Sequence, residues 1–476
     1  MTVLNTPQYR AVVQDGLLVS DFQESLFPEL LYRAEATASE WGEQEGDSKI
    51  FTGDGPIPVT TAPVAPMAEP ETVDYDREQW VAQLHRWGKT KPTYVPTSVH
   101  AAMNLLVRDT KALGKHAGQT LNRIVRNRLY NACLSGHTVA DGAQNAVTTL
   151  RVKRLNGFTR ARRPDLTTGS PVRFDPVTVN NPLAIKVNQN TGTATAVNVV
   201  GFTSDYPNDE IGPGTLTLSA AVTVADRASV VADNATAIRR AGGGYRVDEI
   251  GSTDKLAFSD LYNAIARLSS MDVPRCADGY WHGHLTPNAK AQIFSDAEFR
   301  QINESMPEGL AYSQFAFKKA LGGIWFENNE NPQAGLNVNI PNGSTDGATG
   351  DQYHPAREDF AGELYPTGTP TNAVGSIDRT LILGGGWIRE YYVDQDKYTT
   401  EAGTNARISE MPQVTDGAVK VMAERVLLIQ LAPRDKWQEV VDQSWKFTGD
   451  FVARTDAATG DAATYKRGIV IEHIKT

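Results

Sequence analysis

The chain has 476 residues, more than one ordinary domain needs, so two or three domains are expected. Hydrophobic residues make up 40% and charged residues 21%, which excludes a mainly disordered, collagen-like or coiled-coil protein. With 46 Lys and Arg against 56 Asp and Glu, the net charge of −10 argues against a protein built mainly to grip phosphate backbones. No stretch reaches the roughly 18 apolar residues of a membrane span, and no signal peptide is expected at the N-terminus. Two cysteines exclude a disulfide scaffold and favour a reducing cytoplasm.

The first ninety or so residues do not read as a self-contained domain. The segment FPELLYRAEATASEW (residues 27–41) predicts one short helix, since Leu30, Leu31 and Ala34 follow helical spacing. Five prolines between positions 56 and 70 then predict an extended segment that cannot lie inside a sheet. Two interpretations of this segment stay open, a disordered linker and an arm that orders against another surface.

Large apolar side chains follow the proline-rich segment. The stretch EQWVAQLHRWGKTKPTYVPT predicts strand and carries Trp80, Leu84, Trp87 and Tyr94. Aromatic residues on an arm need a surface against which to bury, and a neighbouring subunit would supply one. These four residues are therefore the candidate subunit-contact residues.

Residues 97–134 carry the clearest helix. Apolar and small residues from Met103 to Ile124 recur at alternating spacings of three and four, and basic residues occupy the opposite face. A helix of this length spans roughly 45 Å. Such a long amphipathic helix is typical of a structural spine.

The composition changes after His137. Residues 164–240 are rich in Thr, Val, Asn and Gly, and short runs of period two alternate with turn signals. This pattern predicts a small β-sandwich or barrel. Because basic, glycine-bearing stretches flank it, we interpret residues 137–250 as an inserted domain.

The remainder predicts an α+β host. The segment FSDLYNAIARLSS predicts a helix capped by Ser259, and Thr286 followed by Pro287 predicts the start of another, NAKAQIFSDAEFRQI. A third helix is expected at LAYSQFAFKKAL. Strands are predicted at GYWHGHL, GGIWFENN, RTLILGGGW, KVMAERVLLIQLA and KRGIVIEHI.

The residues offer little catalytic chemistry. His282 and His284 form an H-x-H pair that could begin a metal site, but no third ligand stands at a recognisable spacing. The runs GGGY (242–245) and GGGW (384–387) lack the phosphate-loop pattern and favour turns or close backbone packing. We therefore expect no catalytic residue, no cofactor and no metal.

A basic cluster between positions 151 and 163 is the strongest local charge feature. It could contact nucleic acid or an acidic neighbour, and the alternative, which the net charge favours, is a solvated domain junction. Its members are Arg151, Lys153, Arg154, Arg160, Arg162 and Arg163.

The order of these segments resembles a tailed-bacteriophage major capsid protein of the Hong Kong 97 fold. REQWVAQLHRWGKT resembles the base of the extended loop of that family, and LGKHAGQTLNRIVRNRLYNA resembles the spine helix of coat proteins related to that of phage N-four. MDVPRCADGYWHGHLTPNAKAQIFSDAEF and DQSWKFTGDFVARTDAATGDAATYKRGIVIEH resemble a later strand–helix passage and the closing strand pair. The matches span residues 75–136 and 250–476.

The resemblance implies an α+β capsid fold with axial and peripheral domains and an inserted all-β domain. The expected parts are an N-terminal arm (1–42), an extended loop (43–96), the spine helix of the peripheral domain (97–136), the inserted β-domain (137–250), a peripheral-domain helix (251–275), the axial domain (276–430) and C-terminal strands returning to the peripheral domain (431–476).

The implied function is self-assembly into pentamers and hexamers of an icosahedral head around double-stranded DNA. Expected partners are other copies of the chain, a separate scaffolding protein, a portal and a decoration protein, with packaged DNA touched without sequence specificity and no membrane. The expected location is the virion, after assembly in the host bacterial cytoplasm. Two alternatives stay open, an encapsulin-like nanocompartment shell protein and a hydrolase with an inserted β-domain.

Overall fold

A computed structural model describes most of the chain. The described residues are 31–42, 46–54, 63–64, 69, 77–94, 105–162, 174–188, 194–205, 213–225, 228–232, 238–243, 250, 253–304, 319–328, 331, 377–393, 413–415, 418–423, 425–431, 437, 439–453 and 466–474. Within these ranges, only the backbone is described at 52–54, 77–81, 105–107, 131, 162, 174, 188, 194, 302–304, 413–415 and 418–423.

The elements follow one another in a mixed order dominated by strands. The first half contains β1 (Thr37–Glu40), β2 (Ser48–Asp54), β3 (Arg77–Gln83), β4 (His85–Tyr94), α1 (Leu105–Cys133), β5 (His137–Val139), β6 (Gln144–Val152), β7 (Arg160–Arg162), β8 (Phe174–Pro176), β9 (Leu183–Asn188), β10 (Ala194–Ser204), β11 (Gly214–Val224), β12 (Ser229–Ala232) and β13 (Ile238–Arg240). The second half contains α2 (Phe258–Ser270), β14 (Trp281–Leu285), α3 (Pro287–Ser295), α4 (Ala297–Glu304), β15 (Lys319–Ala320), β16 (Gly323–Glu327), β17 (Ile377–Leu383), β18 (Ile388–Tyr392), β19 (Gln413–Thr415), β20 (Ala418–Ala423), β21 (Val426–Gln430), β22 (Val440–Ala453) and β23 (Gly468–Ile474).

The chain divides into two units, each assembled from distant segments. The first unit comprises Met1–Phe51, Val81–Arg126 and Ile388–Val452. The second comprises Thr52–Trp80, Asn127–Trp387 and Ala453–Thr476. The strands between residues 388 and 430, which were expected in an axial domain, thus belong to the same unit as the first part of α1.

The first unit is a seven-stranded sheet with α1 packed on it. The strand order is β1-β18-β22-β21-β20-β19, and β4 pairs with β22 as well. Leu113, Ala117, Leu121 and Ile124 of α1 are buried, as the helical spacing predicts. The helix has 29 residues and continues through Gly114 and Gly118 without a break.

One predicted helix in this unit is wrong. A helix is expected over residues 27–41, of which 27–30 lie outside the described residues. Residues 33–35 form a single 3₁₀ turn, and β1 follows it. β1 pairs in parallel with β18, and the buried Arg33 donates from Nε to Glu390 Oε2 at 3.0 Å. Tertiary pairing therefore overrides the local helix propensity.

Residues 137–232 of the second unit form a six-stranded sheet in the order β5-β12-β9-β10-β11-β6. An antiparallel bridge between Ala140 and Val152 joins its two ends, so the sheet closes on itself as a barrel. The interior is filled by alternating apolar side chains such as Leu150, Val199 and Leu216, which are fully buried. The period-two runs thus predict β9, β10 and β11 but not β5, β6 or β12. The status of residues 137–250 as an insertion stays a prediction.

The other sheet of the second unit carries three helices. Its order is β13-β23-β17-β14-β16-β15, and α2, α3 and α4 contribute to one core with Trp281 and Trp325. Thr286 caps α3 as predicted, accepting the Ala289 N–H at 3.1 Å. The strands at GYWHGHL, GGIWFENN, RTLILGGGW and KRGIVIEHI are confirmed.

Three helix predictions in this unit need correction. Ser259 does not cap α2, because the helix begins at Phe258 and the Asp260 carboxylate accepts the Ala257 N–H instead. The helix expected over NAKAQIFSDAEFRQI breaks at Asp296, whose extended backbone lets its carboxylate accept the N–H groups of Phe258 and Glu298. Lys319 and Ala320 form β15 rather than the end of a helix, and residues 310–318 of that predicted helix lie outside the described residues.

A buried ion triad joins three strands of this sheet. Glu472 of β23 accepts from Arg240 Nε at 2.9 Å and from Arg379 Nε at 2.8 Å. Burial alone would raise the pKa of Glu472, but the two guanidinium groups outweigh it and hold that pKa below its ordinary value. The triad fixes β23 between β13 and β17.

We predict that Glu472→Gln lowers the free energy of unfolding by about 3–5 kcal/mol at pH 7, because two buried guanidinium groups lose their carboxylate. A folded-state pKa below the unfolded value adds stability above pH ~4.3 that disappears as pH falls through the folded pKa. The deficit of the variant should therefore shrink on acidification below about pH 4. Urea unfolding followed by circular dichroism measures both effects.

The control is Glu298→Gln, an exposed carboxylate of α4, which should cost less than about 0.5 kcal/mol. Equal urea midpoints for the two variants at pH 7 would contradict a stabilising triad.

Candidate assembly surface

Strand β4, which carries two of the candidate contact residues, is paired along its whole length with β22. The register runs from Tyr94 opposite Val440 to His85 opposite Gly449. At Gly88 a Cβ would lie 2.5 Å from the Trp445 carbonyl oxygen, so only glycine fits there. Among the described strands β4 pairs with β22 alone, and its charged residues and Pro92 suit an edge strand.

Polar contacts hold helix α1 against one face of the β4–β22 pair. The buried Asp109 carboxylate accepts from Lys91 Nζ and, at 2.6 Å, from Thr93 Oγ1. On β22, Gln443 Nε2 donates to Thr110 Oγ1 at 2.9 Å. These contacts hold one side of α1 against the sheet.

A hydrogen bond between Trp445 and His116 adds another contact between β22 and α1. Trp445 Nε1 donates to His116 Nδ1 at 3.2 Å, which requires Nδ1 to be unprotonated. Burial, followed by the charges of Lys89 and Arg123, lowers the pKa of His116 below its ordinary value. The imidazole is therefore neutral at pH 7 and serves as an acceptor.

Trp87 packs within the chain. Its ring lies 5.8 Å from Phe447 and 6.3 Å from Phe451, and the two phenylalanines stack on each other at 5.4 Å. The side chain is half-buried by these contacts. Contacts within the chain thus cover much of the apolar surface of Trp87. The role of Trp87 between subunits stays a prediction.

The other three candidates differ in exposure. Tyr94 is 48% exposed, and its hydroxyl donates to Glu439 Oε2 at 2.7 Å. Leu84 is half-buried between β3 and β4, where its N–H donates to the Asp47 carbonyl at 2.9 Å. Trp80 lies in β3, but its side chain is outside the described part of the structure.

Two further exposed apolar residues, which the sequence pattern does not single out, lie near the first residues of β22, with which Tyr94 pairs. Trp437 is 83% exposed just before β22, and Leu431 is 41% exposed just after β21. The Leu431 N–H donates to the Asp442 carbonyl at 2.9 Å, close to the Tyr94–Val440 pair. We call Tyr94, Leu431 and Trp437 the aromatic end of the first unit. A tryptophan between charged residues in a strand connection (PRDKWQE) is the one sequence signal for it.

The histidine pair lies on β14 as predicted. Phe326 contacts both imidazoles, with ring centroids 5.3 Å from His282 and 5.6 Å from His284. His282 Nε2 also lies 2.9 Å from Asp278 Oδ2. These contacts give both rings a packing role.

The basic cluster at 151–163 is divided among several environments. Arg151 pairs with Asp141 at 3.0 Å and with Asp205 at 2.7 Å, Arg154 is fully buried, and Arg160 is exposed. The side chain of Arg162 and all of Arg163 lie outside the described part. The described members therefore do not form one continuous basic surface.

The second glycine run serves close packing, as expected. A Cβ on Gly384 would lie 2.6 Å from the Pro274 carbonyl oxygen, and one on Gly385 would lie 2.4 Å from that of Arg275. Gly242 and Gly243 of the first run adopt positive φ angles of 78° and 79°. Both runs therefore shape the backbone.

Comparisons with known proteins give structural matches only. No protein-family model and no curated protein matches the sequence. The chain is similar to the capsid of cyanophage P-SCSP1u (TM-score 0.47, 8% identity, 94% of this chain and 89% of that one). It is also similar to the capsids of cyanophage Pam1 (0.45, 10%, 95% and 92%) and Ralstonia phage GP4 (0.43, 9%, 93% and 87%). In structure, then, the chain is similar to bacteriophage capsid chains over more than nine tenths of its length.

No helix in the described ranges has both the length and the hydrophobicity of a membrane span.

We predict that Trp87→Ala lowers the free energy of unfolding of the isolated chain by about 2 kcal/mol, because a half-buried ring loses its contacts with two phenylalanines. Trp437→Ala is the matched control and should change it by less than about 0.5 kcal/mol. Urea unfolding followed by far-ultraviolet circular dichroism compares the two without relying on tryptophan emission. Indistinguishable midpoints would show that the Trp87 contacts do not stabilise the fold.

Proposed function

We propose that the chain is a major capsid protein that self-assembles into pentamers and hexamers of an icosahedral phage head around double-stranded DNA. The observation that carries the proposal is the construction of the first unit. A 29-residue helix begins on a sheet whose strands come from both ends of the sequence, and the aromatic end of that unit is exposed. We infer that another protein covers these exposed apolar side chains.

The buried charges of both units support a structural role. Asp109, Glu390 and Glu472 are each nearly inaccessible to solvent, and each is engaged by Lys or Arg from another element. Carboxylates that are buried and engaged in this way are shielded from solvent and hold neighbouring elements together. These groups therefore serve cohesion, and we infer that the chain is not an enzyme.

The proposed organisation follows the order of segments along the chain. Residues 1–42 act as an N-terminal arm, and 43–96 form an extended loop that contacts neighbouring copies through Trp80, Leu84, Trp87 and Tyr94. Residues 137–250 form an inserted domain around the barrel. The solved chains to which this one is similar are phage capsids by name, and the role proposed here is the same.

The partners follow from that role. Shell growth from identical subunits needs a guide for curvature, for which we propose a separate scaffolding protein, with a portal at one vertex and a decoration protein outside. Assembly would take place in the bacterial cytoplasm, and the product is the virion. A nanocompartment shell that holds protein cargo is the competing function, and it shares every feature except the contents.

The test is assembly of the recombinant protein with and without its candidate scaffolding protein. Negative-stain electron microscopy and light-scattering mass should show closed shells or capsomer-sized rings. A 52 kDa monomer under both conditions would overturn the proposal. Shells purified from expressing cells that hold one defined protein and no nuclease-protected DNA would favour the nanocompartment.

A variant locates the contact once shells form. Trp437→Ala should reduce shell yield about tenfold, because loss of a buried interface tryptophan costs on the order of 2 kcal/mol or more at each contact. Tyr262→Ala, which removes an aromatic ring 59% exposed on α2, is the control and should assemble at the wild-type yield. Equal yields for both variants would exclude Trp437 from the contacts.

A further inference from the structure

A cavity of about 20 Å³ lies between the closed barrel and the other sheet of the second unit. On the sheet side, Arg240, Glu472 and Arg379 are direct register partners across β13, β23 and β17, so their side chains project from one face. These three residues are the buried ion triad, and they form one wall of the cavity. The volume suits a single water-sized molecule or ion.

The barrel side of the cavity supplies two buried hydrogen-bonding groups. The pairing of β5 with β12 places His137 opposite Val231, and Ser229 projects from the same side as Val231, two residues further on. Val230, between them, points into the barrel core, so the two polar side chains point away from it. His137 Nε2 and Ser229 Oγ are both buried, and neither has a hydrogen-bond partner within the described part of the chain. A bound water or ion is a common partner of such atoms.

The electrostatic potential at His137 is positive. Burial, followed by the charges of four cations, holds the pKa of His137 well below its ordinary value. In order of effect, the cations are Arg240, Lys466, Arg379 and Arg154. The imidazole is therefore neutral at pH 7, with a proton on one of its two ring nitrogens. The same potential repels a cation from the cavity and attracts an anion.

We propose that the cavity binds a small monovalent anion, chloride or a halide of similar size, held by the Ser229 hydroxyl and the His137 Nε2–H. Both groups can donate, and hydrogen bonds to a charged acceptor are stronger than those to a neutral one. A polyatomic anion such as sulfate needs more room than a water-sized site offers. A water molecule is the competing occupant, but it carries no charge that the positive potential would attract.

An anion at this position would join the barrel wall to the sheet. The inference goes beyond the capsid role and does not depend on it, because it concerns the cohesion of the second unit alone. A ligand that binds only the closed junction lowers the population of locally opened states by mass action. Backbone amides of β5 and β12 should therefore exchange hydrogen more slowly when chloride is present.

The experiment is hydrogen–deuterium exchange of the full-length chain, read by mass spectrometry in sodium chloride and in sodium gluconate of equal ionic strength. For a dissociation constant of about 100 mM, peptides that cover β5 and β12 should exchange about threefold more slowly in about 200 mM chloride. Bromide should act like chloride. Peptides from β22 of the first unit should exchange equally in both salts.

Two variants locate the site. Ser229→Ala removes one of the two donors, so most of the difference between chloride and gluconate at β5 and β12 should disappear. Ser219→Ala makes the same change on the exposed wall of β11 and should respond to chloride like the wild type. Circular dichroism verifies that both variants are folded.

Three results would overturn the proposal. Equal exchange of β5 and β12 in chloride and gluconate would leave a water molecule as the occupant. A chloride effect that Ser229→Ala retains, or one that β22 shows equally, would place the binding elsewhere. The comparison of salts on the wild-type chain is decisive even if Ser229→Ala fails to fold.

Discussion

The pairing of β4 with β22 is the constraint on which the first unit depends. It joins a segment near residue 90 to one near residue 445 in an unbroken ten-residue register. The close approach at Gly88 leaves no room for any other residue. Once this ribbon exists, Trp87, Phe447 and Phe451 share one face, and α1 has a surface on which to lie.

That packing determines which side chains of the first unit are buried and which are exposed. Three polar side chains of α1 accept hydrogen bonds from lysine, glutamine and tryptophan side chains of the sheet. They are Asp109, Thr110 and His116. Arg108, Lys111 and Lys115 of α1 are exposed, whereas Arg126 is buried. The end of the ribbon leaves Tyr94 and Trp437 in solvent. The first unit therefore presents exposed apolar side chains at one end of the β4–β22 pair.

Regular spacing explains which elements the sequence predicts well. The apolar repeat of α1 and the alternation in β10 and β11 express burial directly, so they locate the helix and the barrel strands. The helix prediction fails at residues 37–40 because their strand exists only through pairing with β18, which lies far along the chain. The prediction of one continuous helix fails at Asp296 for a similar reason, because its carboxylate accepts a hydrogen bond from the Phe258 N–H in the first turn of α2.

The candidate site is harder to predict because exposure depends on tertiary neighbours. Trp87 looks like an arm residue that needs a partner subunit, but Phe447 and Phe451 supply much of that partner from the same chain. Trp437 belongs to no periodic run, and its 83% exposure is seen only in the structure. The cations of α1 are visible in the sequence, but the position of Lys91 beside Asp109 of α1 follows only from the packing of β4 against the helix.

The most direct test of this account is a cryo-electron-microscopy reconstruction of the assembled particle at side-chain resolution. We predict five- and six-fold clusters in which the aromatic end of each first unit is buried against a neighbouring copy. A particle whose neighbours meet elsewhere, with Trp437 in open solvent, would contradict the account.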